Sequence, residues 1–197
     1  MSLVCETKRL ILREWCVDDA KVLFKLQTDP EIIKYTGESP MPSLAHTIEF
    51  LEKYDQYAKN GFGRWLVVIK EDNTAIGWCG LKNDKDFGEI DLGYRFLKPY
   101  WGRGYASESA LAALKTGFEK YNMNRITARV AKENTASEKV LIKIGMTYWK
   151  DEFCHEHPAR AYKWRKKSLR NLTPNQAKST TYHCQIIRNG SFNFLIS

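Results

Sequence analysis

The stretch Pro99-Tyr100-Trp101-Gly102-Arg103-Gly104-Tyr105-Ala106-Ser107-Glu108 joins an alternating apolar run to a segment of helical periodicity. Small residues at 102, 104 and 106 let the main chain approach a bulky anion. The N–H groups that open a helix point outward with partial positive charge, so a pyrophosphate can sit there without a metal. Arg103 adds a full charge. A dinucleotide fingerprint needs Gly-x-Gly-x-x-Gly, but Ser107 stands at the last position and the stretch lies mid-chain; the Gly-Lys-Ser/Thr of a P-loop is absent. Taken alone, the glycines fit a tight strand-to-helix turn equally well.

Working outward, residues 105–121 place Ala106, Ala110, Leu114, Phe118 and Tyr121 on one helical face. Before the turn come three strand-like runs, 65–70, 75–81 and 88–97, separated by Glu71-Asp72-Asn73 and Asn83-Asp84-Lys85-Asp86. After it, residues 125–131 read as a strand, and Asn134 stands where a helix N-cap belongs. Val140, Leu141 and Ile144 form that helix's buried stripe, which Gly145 stops, and two closing strands follow near 146–153 and 159–165. Towards the N-terminus, Leu10, Ile11 and Leu12 mark a strand within 6–15, a helix spans 17–26 up to Asp29-Pro30, and residues 42–60 read as one amphipathic helix. This order of elements makes an α/β domain with a mixed sheet.

At 197 residues, with 43% hydrophobic, 13% aromatic and 27% charged residues, the chain suits one globular domain and excludes wholesale disorder. No uncharged apolar run approaches the ~18 to 20 residues that cross a bilayer, and residues 1–9 lack a signal-peptide apolar segment, so the expectation is a soluble cytoplasmic protein with no membrane partner. Five scattered cysteines without a Cys-x-x-Cys pair suggest free thiols rather than a disulfide framework or a zinc site. Cys154-His155-Glu156-His157 has no further ligand at a recognisable spacing, so no metal is expected. The net charge of +8 is uneven: Arg160, Lys163, Arg165, Lys166, Lys167 and Arg170 crowd together and would suit an anion. Residues 168–197 hold no acidic residue and are rich in Asn, Ser and Thr. The expected division is a folded domain over 1–167 and an appendage over 168–197, whose Phe192, Phe194, Leu195 and Ile196 are candidates to dock on a partner or on a second subunit in a homodimer.

Three segments then act jointly: Gly93-Tyr94-Arg95-Phe96-Leu97, the turn from Trp101 to Ala110, and Asn134-Thr135-Ala136-Ser137 running on to Lys143-Ile144-Gly145-Met146. With the opening Thr7-Lys8-Arg9-Leu10-Ile11-Leu12-Arg13, they closely resemble the GNAT superfamily of acetyl-CoA-dependent N-acetyltransferases, within it the branch of the ribosomal-protein N-terminal acetyltransferases. The resemblance spans roughly residues 6–166. One departure is Trp101, where the superfamily turn often begins with Gln or Arg. It implies a mostly antiparallel sheet whose two central strands, 88–97 and 125–131, splay apart around the pantetheine arm of acetyl-CoA. By matched position, Phe96 and Leu97 meet the pantetheine through their main chain, and Gly102, Arg103, Gly104, Tyr105, Ala106 and Ser107 hold the pyrophosphate. Asn134 and Lys143 lie near the cofactor's other end.

Acetyl transfer to an amine needs a neutral nucleophile, a donor to the developing oxyanion and a proton for the departing thiolate. A lysine or α-amine is mostly protonated at neutral pH, so a nearby carboxylate is useful. Glu89 and Asp91 alternate with Ile90, Leu92, Tyr94 and Phe96 and therefore share one strand face, close enough for mutual repulsion to raise one pKa. Ser137 matches the slot where the family suggests a hydroxyl close to the cofactor sulfur, a candidate general acid; Tyr94 and Tyr105 are weaker proton donors. The expected function is acetyl transfer to a primary amine, a protein N-terminus or a small-molecule amine, directly in a ternary complex. Its rivals are a non-catalytic acyl-CoA-binding module and a ribosome- or RNA-binding protein using residues 160–170; nucleic acid is not the favoured partner.

Overall fold

Where one strand is expected over 6–15, the chain forms a hairpin: β1 (Leu3–Glu6) and β2 (Leu10–Arg13) pair antiparallel. Thr7 makes the reversal. Its N–H donates to the Leu10 carbonyl at 2.9 Å and its hydroxyl accepts the Leu10 N–H at 2.9 Å. The computed structural model describes residues 2–154 and 157–165.

A short 3-10 turn, Val17–Asp19, leads into α1 (Ala20–Thr28). Pro30 begins a further one-turn helix, α2 (Pro30–Ile33), because Asp29 caps it by accepting the Glu31 N–H at 2.9 Å and proline suits a first helical position. The single helix expected over 42–60 is two, α3 (Leu44–Glu52) and α4 (Gln56–Asn60). The break frees two tyrosine hydroxyls to hold the start of the next strand. Tyr54 Oη accepts the Arg64 N–H at 2.9 Å, and Tyr57 Oη donates to the Arg64 carbonyl at 2.5 Å.

Three strands then run as a meander, β3 (Arg64–Ile69), β4 (Ala75–Asp84) and β5 (Glu89–Phe96). The turn delivers α5 (Tyr105–Glu119), followed by β6 (Arg125–Ala131), α6 (Thr135–Lys143), β7 (Thr147–Cys154) and β8 (His157–Arg165). Asn134 caps α6 as expected, its side chain accepting the Ser137 N–H at 3.1 Å. The eight strands form one sheet in the order β1-β2-β3-β4-β5-β6-β8-β7. Every neighbouring pair is antiparallel except β5 and β6, which are parallel and share a single register pair, Asp91 with Thr127. The expected fork between the central strands is therefore present.

The sheet lies between two helical layers. On one face, Leu81, Leu92, Phe96, Ile126 and Trp164 pack with Ala110, Leu114 and Phe118 of α5. Full burial of such a side chain is worth about 1.5–3 kcal/mol. On the other, Ala20, Leu23 and Leu51 from α1 and α3 gather with Trp15, Ile48 and Trp78. In that second layer α1 packs on β4. The odd-numbered residues of β5, including Glu89, Asp91 and Arg95, lie on this same side by the pleat of the strand.

Candidate active site

The fork sets the geometry. Beyond the Asp91–Thr127 pair, β5 carries on through Leu92–Phe96 out of register with β6, and the strand ends at the turn that starts α5. Thr127 Oγ1 donates to the Ile90 carbonyl at 3.1 Å and seals the closed end. On the opposite edge β5 is fully laddered to β4, from Gly77–Phe96 to Asp84–Glu89.

The turn leads directly into the N-terminus of α5, with Gly102 and Gly104 both at positive φ. Gly104 is the N-cap of α5 at φ 81°, a left-handed conformation that costs an L residue roughly 1–2 kcal/mol. Arg103 stands over the Tyr100 ring at 5.8 Å and is exposed, while Tyr105, Ala106 and Ser107 are half-buried at the first turn. Three hydrogen bonds at the end of β5 bear on the main-chain contacts expected of Phe96 and Leu97. Leu97 gives its N–H to the Ile76 carbonyl at 2.9 Å, and its carbonyl accepts the Tyr100 N–H at 3.0 Å. The Phe96 carbonyl is held by Trp101 Nε1 at 2.7 Å. Leu97 thus has no N–H to offer a pantetheine arm, because this part of the chain is already turning into the loop. Trp101 acts structurally, tying the loop to the strand end.

Across the fork, Tyr94 reaches from β5 to α6, its hydroxyl donating to the Ser137 carbonyl at 3.0 Å. Burial, the largest influence, raises the Tyr94 pKa. Its proton is committed to that carbonyl, so it clamps the two sides of the opening. Ser137 is half-buried beside it. Lys143 is not brought to this point. It is exposed in the last turn of α6, about 13.5 Å from Asn134 by helix rise.

Glu89 and Asp91 are not solvated. Their side chains are 7% and 15% exposed and enter a network of arginines. Arg64 Nη2 donates to Asp91 Oδ2 at 2.5 Å, and its Nη1 donates to the Gly80 and Asp91 carbonyls. Gly93 makes this possible, since a Cβ there would stand 2.7 Å from the Arg64 guanidinium. Arg129, 4% exposed, lies at 2.8 Å from Glu89, 3.8 Å from Asp91, 3.7 Å from Asp84 and 2.7 Å from Glu152. Its guanidinium stacks on the Phe87 ring at 3.6 Å. Arg125 adds a contact to Glu89 at 3.3 Å.

The expected pKa rise is present at Asp91, with a different cause. Burial raises it, Arg64 and Arg129 oppose that, and the neighbouring Asp84, rather than Glu89, adds to it. Asp91 also stands at the fork itself, whereas Glu89 is two residues into the closed side and held by two arginines. Neither Arg64 nor Arg129 is singled out by sequence reading. The available signal is an arginine inside a strand of buried residues, which demands a buried counter-charge.

The basic cluster is divided. Arg160 pairs with Glu138 at 2.9 Å and Lys163 lies over Trp149 at 4.9 Å. Lys166, Lys167, Arg170 and the whole segment 168–197 lie outside the described residues, as do His155 and Glu156. Among the described residues no group of three or more side chains is placed to hold a metal, and no helix is long and apolar enough to cross a membrane.

Residues 9–147 match the GNAT acetyltransferase domain. An uncharacterised N-acetyltransferase, p20 of Bacillus licheniformis, is 34% identical over 137 residues, 68% of this chain and 77% of its own. A GNAT-family acetyltransferase of Bacillus anthracis superposes with a TM-score of 0.70 at 27% identity, covering 83% of this chain and 98% of that one. The ribosomal L7/L12 alpha-N-protein acetyltransferase RimL, solved with coenzyme A, shares the fold with a TM-score of 0.71 at 16% identity, over 83% and 98% of the two chains.

Proposed function

The chain belongs to the GNAT acetyltransferase family and is an N-acetyltransferase, and we propose that it passes the acetyl group of acetyl-CoA directly to a primary amine, with both substrates bound at once. The observation that carries this reading is the fork: two parallel strands that share the single register pair Asp91–Thr127 and open towards a glycine turn at a helix N-terminus. The coenzyme A bound in the structural relative supports the same donor.

In this reading the N–H groups of residues 102–107 hold the diphosphate, and the arm lies in the fork along the β5 edge that β4 leaves open. The acceptor enters from the opposite face, beside Asp91. The protonated amine gives its proton to Asp91, directly or through a water, and the neutral nitrogen attacks the thioester carbonyl. The C–N bond forms, the C–S bond breaks, and Ser137 is the candidate to return a proton to the thiolate. The products are the N-acetylated amine and CoA. No covalent acetyl-enzyme and no metal are required.

Arg64 holds Asp91 Oδ2 from the β4 side of the strand, at 2.5 Å. A protein N-terminus and a small-molecule amine both present the group that this chemistry needs. The test has two arms. CoA should raise the melting temperature, because a ligand that binds only the native state stabilises it. Thioester cleavage should then appear with at least one member of a panel of N-terminal peptides, amino acids and polyamines. Absence of a shift at millimolar CoA overturns the donor; a shift with no cleavage on any amine points to the non-catalytic acyl-CoA-binding alternative.

A further inference from the structure

Glu108 occupies the first turn of α5, yet it is only 7% exposed. An acid near a helix N-terminus is favourable in an isolated helix. Here it lies beneath the turn assigned to a diphosphate, where its charge would oppose the ligand's. The β1–β2 reversal answers it from almost one hundred residues away in sequence. Thr7 Oγ1 donates to Glu108 Oε1 at 2.6 Å and the Arg9 N–H donates to the same oxygen at 3.0 Å. Arg9 Nε and Nη2 both meet Oε2 at 2.7 Å.

The same guanidinium has a second set of contacts. Its Nη1 donates to the Arg103 carbonyl at 3.1 Å, and the group lies over the Tyr105 ring at 4.4 Å. It comes within 3.5 Å of the position of a Cβ on Gly104. A carbonyl pulled towards Arg9 cannot face an anion on the outer side of the turn. The Arg9 side chain is still 42% exposed, so its charge is not wholly spent on the buried carboxylate.

We propose that Arg9 is the positioning residue of the diphosphate turn: it cancels the charge of buried Glu108 and holds the Arg103 carbonyl back, so that the turn offers its N–H groups and a positive field to the diphosphate of CoA. This rests on the acetyl-CoA reading above. A purely structural tie would affect all ligands of the site alike. An electrostatic tie affects those that carry phosphate.

The experiment compares equilibrium binding of CoA with that of pantetheine, which has the same arm and no phosphate, in wild type, Arg9→Met, Glu108→Gln and the double variant. Arg9→Met should weaken CoA by about tenfold, the size of a partly buried charge beside a helix terminus, and leave pantetheine within about twofold. Adding Glu108→Gln should restore at least half of the lost affinity on a logarithmic scale, because the uncompensated charge is gone. If wild type binds pantetheine but gains nothing from the phosphates of CoA, or binds neither, the donor reading fails and the proposal falls with it. If wild type favours CoA and Arg9→Met weakens both ligands equally, or neither, the proposal alone is overturned. Should Arg9→Met not fold, Arg9→Lys carries the test: lysine cannot hold Glu108 and the Arg103 carbonyl together, so about threefold weaker CoA binding is expected and an unchanged affinity overturns the proposal.

Discussion

The two halves of the site are built differently. The half proposed for the donor is a main-chain device: a turn of small residues at the start of α5, tied to the β1–β2 reversal by the Thr7–Arg9–Glu108 contacts. The half proposed for the acceptor is a side-chain device, in which Arg64, Asp91, Arg129 and Glu89 come from three strands and share charge in a nearly closed network. Backbone N–H groups recognise a phosphate whatever the side chains are, so the donor half is tolerant in composition and strict in conformation. A buried ion network is the opposite: each member depends on its partner's charge, and losing one leaves another uncompensated.

The largest expected effect lies in the acceptor half. Arg129→Met should lower the unfolding free energy by about 3–5 kcal/mol, since buried carboxylates lose their common counter-charge. Denaturant titration checks this, and a loss below about 1 kcal/mol would place the network in effective contact with water. Next, Asp91→Asn should reduce turnover by about 10²-fold, the usual scale of a general base, with CoA affinity within about twofold. Glu89→Gln should cost less, because Glu89 is tied on the closed side of the fork. The Asp91→Asn deficit should shrink as pH approaches the amine's own pKa; equal rates across pH would remove Asp91 from the proton path.

In the donor half, Gly104→Val places a β-branched residue at φ 81°. It should weaken CoA by roughly tenfold, corresponding to 1–2 kcal/mol of left-handed strain, and leave the acceptor face unchanged. An unaltered CoA-induced melting shift would show that the turn tolerates a side chain. The smallest effect concerns linkage. Burial holds the Asp91 pKa above its ordinary 3.8, so this group favours the fold most below that value and less as pH rises through its folded pKa. The stability of wild type relative to Asp91→Asn should therefore fall as pH rises above the ordinary 3.8; a difference that grows as pH rises would show that Arg64 outweighs burial.

How much of this is legible in the sequence varies with the distance between interacting residues. Asn134 as a cap, the glycine turn and strand 125–131 are readable because each is fixed by neighbours a few residues away. The helix over 42–60 is misread because its periodicity continues across the break. At the break, Tyr54 and Tyr57 bind the Arg64 main chain, a contact that local periodicity does not show. The hairpin at Thr7 is likewise hidden, since its reversal has neither glycine nor proline and relies on the threonine hydroxyl.

The sequence by itself determines the order of elements from β3 to β8 and the position of the glycine turn, because propensity, periodicity and glycine placement act over short range, and its joint motifs carry the resemblance to the family. Tertiary structure alone decides which carboxylate stands at the fork, what neutralises it, and that Arg9 reaches Glu108. Those outcomes depend on burial and on charges brought together by strand order, and a low-dielectric neighbourhood exists only after the sheet has formed.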